Sequence, residues 1–483
     1  MKKTIKNSLK ILGCILLLVS CDDYLDVQPE DQYLEETVFA KETSVQNVIN
    51  GVYIDMASSS TYGGNLTMST VDVLAQRYTA SDRSPYFDLA NYNYRQNGVK
   101  ATFDNIWTNM YVIILNINKT IENLDKNEAN IPLDRLSVLK GEILGLRAML
   151  HFDLLRLFGP VYAVNSGGES IPYYDSVSTD INPLLPASTV IEMVLADLEE
   201  SLILLNEDPV RTYGKIDVSE DEDETDFDGA PFYRYRNLRF NYFSAKALQA
   251  RVHLYAGNNS EANSVAKEVI DEGMQWFDWV TEGAISATNS DRVFSSEVIF
   301  AVQNPNLHTT HDLLFGVDLE DDDILASDSE RLEDIFDGNL NEYRYGPSWK
   351  DDPKPEREFK TFVKFKGSNG RTDNFQYMQP LIRMSEMYYI VVETDTDVVI
   401  ATDYLNAVRE HRGLADLDSG LIDLPLELMK EYKREFFGEG QLFYYYKRKN
   451  MSAIEDGSRA SGTIDMNAST YVVPLPESET DYR

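Results

Sequence analysis

The sequence predicts a mainly α-helical protein, a tetratricopeptide-like helical repeat scaffold of about four helix pairs with long irregular loop insertions on one face. Three observations carry this prediction. Apolar residues recur at helical spacing over segments several turns long, and strand-like alternation is confined to short pieces. The helical segments come in pairs separated by turn residues. Between the pairs lie long stretches rich in Tyr, Asn, Asp, Gly and Pro, and such insertions usually gather on the binding face of a solenoid.

Taken in chain order, residues 1–20 read as a lipoprotein signal peptide. Lys2, Lys3, Lys6 and Lys10 precede an apolar run from Ile11 to Ser20, which is too short to span a bilayer. Leu18-Val19-Ser20-Cys21 then has the form of a lipoprotein cleavage site, with Cys21 as the lipidated first residue of the mature chain. The other cysteine, Cys14, falls in the removed segment, so no disulfide is expected. Residues 21–40 are polar, contain Pro29 and read as an extended tether, and residues 41–483 read as one helical domain.

The first helix is expected to begin near Lys41, with a stripe of Val45, Val48, Ile49, Val52 and Tyr53. Its partner is Ile106 to Leu124, closed by Asp125-Lys126-Asn127. Leu136 to Phe158, stopped by Gly159-Pro160, pairs with Pro186 to Leu205, where Ser188 is the expected N-cap. Phe240 to Tyr255 pairs with Glu261 to Ile270 across Gly257-Asn258-Asn259. In this pair Ala250, Gly257 and Ala262 stand where a tetratricopeptide unit places small residues. Leu381 to Val392 pairs with Val398 to His411, and a last helix, Leu426 to Lys447, follows Pro425. Insertions fall at residues 62–101, 208–238 and 273–379.

The formal charge of −36 argues against nucleic acid as a ligand, because such a surface repels phosphate backbones. No Gly-x-Ser-x-Gly, P-loop or His-Glu-x-x-His occurs. Carboxylates are too frequent for spacing to single out a glycosidase pair, and no catalytic residue is assigned. His308-Thr309-Thr310-His311 offers two imidazoles without a further ligand nearby, and no metal site is assigned. The acidic run Asp217 to Asp228 copies the middle of a calcium loop but has Glu224 and Tyr235 where that loop needs Asp or Asn and Glu. No cofactor is assigned, and calcium is left open. Trp107, Trp276 and Trp279 read as packing residues.

Several stretches, in order over most of the chain, resemble the RagB/SusD family of outer-membrane nutrient-uptake lipoproteins. They are Cys21-Asp22-Asp23-Tyr24-Leu25-Asp26; Ile106-Trp107 with Tyr111; Leu146-Arg147-Ala148 through Leu157-Phe158-Gly159-Pro160; Ala250-Arg251-Val252 with Ala256-Gly257; Ser296 to Phe300; Pro380 to Arg383; Arg409, Arg412 and Gly413; Glu435-Phe436; and Val473-Pro474-Leu475-Pro476. The chain departs from the family at Tyr432 and Leu442, where arginine is usual, and local repacking is expected there.

The resemblance implies a non-catalytic receptor seated on a SusC-like TonB-dependent transporter of the outer membrane. The protein would be lipid-anchored, would face outward, and would deliver oligosaccharide, or in some members peptide, to that transporter. Asp22 directly after Cys21 fits an inner-membrane retention rule, so the outer surface is implied by the resemblance alone.

A pyranose presents an apolar face and a belt of hydroxyls, which suits flat rings beneath it and carboxylates, amides and arginines at its edge. The candidate glycan-binding residues are Asp72, Arg77, Tyr86, Tyr92, Tyr94 and Asn97 in the first insertion, with Tyr345 and Trp349 in the third. Alternatives are a peptide receptor of the same build and a surface glycosidase. Cys21→Ala is expected to give an unanchored protein that takes up no labelled palmitate; labelling that persists would refute the lipidation site.

Overall fold

The computed structural model describes residues 38–216, 231–354, 356–367, 374–459 and 461–481. The expected signal peptide, Cys21, most of the tether and the run Asp217 to Asp228 lie outside them.

Among the described residues, ten helices of seven residues or more form the scaffold: α1 (Glu42–Met56), α2 (Asn97–Lys126), α3 (Leu133–Phe158), α4 (Ala187–Leu204), α5 (Tyr242–Ala256), α6 (Asn259–Gly273), α7 (Met384–Thr394), α8 (Val398–Glu410), α9 (Leu424–Glu435) and α10 (Leu442–Arg448). Two more of that length, Leu307–Phe315 and Ser329–Ile335, belong to the third insertion. The predicted partners pack together: α1 on α2, α3 on α4, α5 on α6 and α7 on α8. Successive pairs also touch, α2 on α3, α4 on α5 and α6 on α7, which makes the stack continuous. One apolar core runs through it from Phe39 to Val473. Among the described residues no helix is long and apolar enough to cross a membrane.

The periodicity explains these elements. Val45, Ile49, Val52, Tyr53 and Met56 make the buried stripe of α1. α3 is enclosed by α2, α4 and the second insertion, and nearly every residue from Val138 to Phe158 is buried. Ala250 and Ala262 are fully buried and Gly257 takes φ 80°, so the small residues of the third pair do allow its close turn.

Three boundaries differ from the expectation. α4 starts at Ala187, with Pro186 rather than Ser188 at its N-cap. Leu381 to Arg383 belong to a strand, not to α7, because β5 (Met378–Arg383) pairs antiparallel with β1 (Val298–Gln303), matching Val302 to Gln379. The single helix predicted from Leu426 to Lys447 is two, α9 and α10, separated by Gly438 and Gly440 at φ 73° and 70°. A Cβ on Gly440 would stand 2.2 Å from the Leu66 carbonyl, so the break makes room for the first insertion. The two departures from the family pattern have repacked: Tyr432 stacks on Tyr445 at 4.3 Å and Leu442 is buried.

Two further small sheets complete the fold, one of β2 (Ser327–Asp328), β4 (Phe359–Phe362) and β3 (Trp349–Asp351), the other a hairpin of β6 (Ala453–Glu455) and β7 (Thr463–Asp465).

Arg147, Asp197, Arg236, Glu142 and Asp208 are buried within the scaffold and paired there, as burial requires. Arg147 on α3 forks onto Asp197 of α4 at 2.6 and 2.7 Å, and Tyr173 donates to the same carboxylate. His151, stacked on Tyr173 at 3.8 Å, donates from Nδ1 to the Arg147 carbonyl and accepts the Tyr174 N–H at Nε2. A proton on Nε2 would face that N–H, and burial pushes the imidazole down to about 3. The second insertion is tied down by Arg236, which bridges Glu142 of α3 and Asp208 at 2.9 and 2.8 Å with all three side chains fully buried.

At the other end of the scaffold Glu435 of α9 accepts from Arg344, Arg383 and Arg412. Burial alone would raise its carboxyl, but Arg412, Arg383 and Arg344 outweigh it and hold Glu435 well below the usual carboxylate range.

Both shifts act in the same direction on stability. Unfolded histidine takes a proton near pH 6.5, whereas folded His151 resists until about 3, so its contribution is lost as pH falls through that interval. Glu435 contributes fully above the unfolded glutamate value of about 4.3 and loses its contribution below it. Stability to urea is therefore expected to fall from pH 7 to pH 4. His151→Gln should lower the slope between pH 6.5 and 4.5 by about 1.4 kcal/mol per pH unit. An unchanged slope would refute the buried neutral imidazole.

Candidate functional site

A cleft of about 1100 Å³ opens where the first insertion meets the segment after β1. Its floor begins at the C-terminus of α1. There Thr61 donates to the Met56 carbonyl at 2.8 Å and to the Asp55 carbonyl at 3.0 Å, satisfying the end of the helix. Gly63 lets the following turn lie on that end, since a Cβ there would meet the Ala57 carbonyl at 2.0 Å. The turn presents Ser58, Ser59, Ser60 and Asn65 to the cleft.

A second wall is the start of α2, which has no side-chain cap and contributes Gln96, Thr102 and Asn105. Tyr86, Asp88 and Leu89 close that side. The opposite wall is Asn304 to Leu314, with Asn306, Thr309 and Thr310 facing in. Asn304 is buried; its Oδ1 accepts the Asn306 N–H at 2.9 Å while its Nδ2 has no acceptor among the described residues. Ile54 and Leu313, each 68% exposed, supply apolar surface. The lining contains amides, hydroxyls, two carboxylates and a single aromatic ring, with no lysine, arginine or histidine. Burial raises the Asp55 carboxyl from its ordinary value.

The structure separates the predicted site residues. Tyr86 lines the cleft. Asn97 is exposed on the first turn of α2 between the lining residues Gln96 and Gly98. The other six are interior packing residues, which corrects the expectation that they form a glycan platform.

Asp72 is fully buried, 3.4 Å from Arg77 and accepting the Gly438 N–H at 2.7 Å; burial pushes it up to about 6. Arg77 lies over the Phe437 ring at 3.9 Å and donates to the Lys433 carbonyl. Tyr92 and Tyr94 donate to the carbonyls of Leu74 and Thr470 at 2.8 and 2.7 Å. Tyr345 packs on Phe336, and Trp349 is wedged between Phe362 and Phe437 with ring centroids 4.8 and 5.1 Å away. These insertions have little regular secondary structure, so they order themselves by burying their own rings.

Sequence reasoning missed Asn65, Asn105, Asn304 and Asn306. The only signal was the Asn and Thr content of the flanking loops. The His308-Thr309-Thr310-His311 stretch is divided by its helix, Leu307–Phe315. His308 bonds to the Gln376 carbonyl at 2.7 Å and His311 to that of Phe362 at 2.8 Å, while the two threonines line the cleft. Trp107 and Trp279 pack on Phe158 and His411. Among the described residues no group of three or more His, Cys, Asp or Glu could hold a metal ion.

Trp349→Ala is expected to cost about 3–5 kcal/mol of stability, the range for truncating a buried ring, measured by urea unfolding. A variant of unchanged stability would return Trp349 to the surface.

Comparison with known proteins agrees with this architecture. A family model described as starch-binding and associating with the outer membrane matches residues 23–214. A second, of the SusD family, matches residues 336–481. A SusD-like protein of Formosa agariphila is 20% identical over 77% of this chain and 64% of its own length. Another from the same organism is 26% identical over 40% of this chain and 37% of its own. The chain thus spans less than two thirds of these curated relatives.

Among solved structures, a SusD superfamily protein from Bacteroides thetaiotaomicron superposes with a TM-score of 0.71 at 22% identity, covering 91% of this chain and 98% of that one. A laminarin-binding SusD-like protein gives 0.65 at 20% identity, covering 91% and 97%. With two models of one superfamily matching its N- and C-terminal parts, and with the fold they imply, this chain belongs to the SusD/RagB family.

Proposed function

We propose that the protein is a non-catalytic saccharide receptor of the outer membrane, lipid-anchored through Cys21. It would hold a neutral oligosaccharide in the 1100 Å³ cleft and deliver it to a SusC-like TonB-dependent transporter. The observation that carries this reading is the lining. Ligand clefts usually run to roughly 300–1000 Å³, so this one has room for several sugar units. Ring hydroxyls both donate and accept, and Asn65, Asn105, Asn306, Thr309 and Thr310 can do both in return. Tyr86 offers one flat face to a pyranose. With Asp55 and Asp88 present and no cation in the wall, the cleft disfavours acidic sugars.

The family models support the saccharide class and the outer-membrane setting, and one structural relative is described as binding laminarin, a class of ligand transferred here as part of the proposal. None of the lining residues lies in a β-strand, so the cleft offers a peptide no strand edge for β-addition.

Calorimetry with laminari- and malto-oligosaccharides tests the reading. Tyr86→Ala should weaken binding by about 1–3 kcal/mol, the scale of stacking a planar ligand on a ring, and Asn65→Ala by about 0.5–1.5 kcal/mol, with melting temperatures little changed. Full affinity in both variants would remove the cleft as the site. Product formation that disappears in Asp55→Asn or Asp88→Asn would instead make the protein a glycosidase.

A further inference from the structure

A second pocket, of about 500 Å³, has the opposite chemistry. It lies among residues 282–292, 341–350 and 366–367 and shares no lining residue with the first cleft. Behind it Val280, Ile285 and Phe294 form a small apolar cluster of their own, against which Tyr343 packs. The pocket therefore has a built floor rather than a loose loop beneath it.

Three cations line it: Arg292, Lys350 and Lys366. Among the described residues none has a carboxylate within ion-pair distance. Arg292 donates to the Lys366 carbonyl at 2.7 Å, and its buried Nε has no acceptor. Lys350 donates to the Gly346 carbonyl at 2.7 Å. A backbone carbonyl satisfies a donor but does not neutralise a charge. Glu282 is the only acid in the lining; it is exposed and pairs with none of the three.

Single buried cations, Arg331 and Lys447, are also held by carbonyls alone, but a cluster of three stands out in a chain with 80 acidic and 44 basic residues. Elsewhere Arg147, Arg236, Arg383 and Arg412 all sit on carboxylates. Burial also depresses the Arg292 guanidinium below its ordinary value, with only partial relief from Asp291; an incoming anion would supply what Arg292 lacks. Around the cations stand the hydroxyls of Ser286, Thr288 and Tyr343. On a surface that otherwise repels anions, a local positive concavity concentrates them.

We propose that this pocket is a second ligand site, taking an acidic saccharide. Arg292, Lys350 and Lys366 hold its carboxylate or sulfate ester, and Ser286, Thr288 and Tyr343 meet its ring hydroxyls. The proposal rests on the saccharide reading of the protein but not on the first cleft. The two sites divide the ligand by charge, neutral units in one and acidic units in the other.

Calorimetry on the purified protein tests this with three probes: hexagalacturonate, a sulfated carrageenan oligosaccharide of similar length, and neutral laminarihexaose. The expected result is binding of at least one acidic probe that weakens about tenfold, or about 1.4 kcal/mol, in the Lys350→Glu, Lys366→Glu double variant. Both lysines are exposed, so the fold should survive. The double variant should leave laminarihexaose affinity unchanged, and Tyr86→Ala should do the reverse. Binding should also weaken with added salt, since exposed charges are screened over about 10 Å at 0.1 M. Which acidic probe binds assigns carboxylate or sulfate as the anion. Equal affinity of wild type and double variant for the acidic probes, or no binding of either probe by the wild type, overturns the proposal. If laminarihexaose fails as well, the saccharide reading falls with it.

Discussion

Glu435 accepts hydrogen bonds from Arg344, Arg383 and Arg412, and so joins three distant parts of the chain at one buried carboxylate. Arg383 ends β5, Arg412 follows α8, and Arg344 belongs to the third insertion. Arg412 continues to Glu297 beside β1 at 2.7 Å, Arg383 to Glu439 at 2.9 Å, and Arg344 to Glu431 at 2.7 Å. Every one of these groups is almost wholly removed from water, so each charge must find its partner inside the protein. The end of the helical stack, the central strand pair and the third insertion are thereby locked in one arrangement.

The first insertion is anchored to the same region. Asp72 accepts the Gly438 N–H, Arg77 covers Phe437, and the Leu66 carbonyl occupies the space left by Gly440. The turn between α9 and α10 is thus shaped by a segment far away in the chain. The insertion then runs back over the end of α1 and forms the cleft with residues 304–314. The helical repeat supports the site, and the insertions form most of its walls.

Charge distribution separates the two pockets. The chain is strongly acidic, yet most buried cations are matched to carboxylates, so little of the excess lies in the core. The cleft beside α1 carries no cation among its described lining residues, and the pocket beside Arg292 carries three with no carboxylate partner among the described residues. Solvation explains the difference between these cations and the buried ones: Lys350 and Lys366 reach water and can remain charged alone, whereas Arg383 and Arg412 cannot.

Periodicity along α1, α2, α6 and α8 was legible in the sequence because each apolar stripe is a local property of a helix with one buried side. So were the acidic surface, the small residues of the third pair and the ordered set of residues that resembles one family. The tyrosines of the insertions were not legible, because a ring with a hydroxyl suits both a buried packing site and a solvent-facing sugar site. Tyr92 and Tyr94 are interior because their hydroxyls find the carbonyls of Leu74 and Thr470, and no pattern in the sequence foretells that meeting. Likewise Thr309 and Thr310 reach the cleft only because His308 and His311 turn inward to backbone carbonyls. The sequence by itself determined the scaffold, whose order comes from local spacing. Only the tertiary structure decided which polar residues stand free in a cleft, because that depends on which of them find partners elsewhere in the chain.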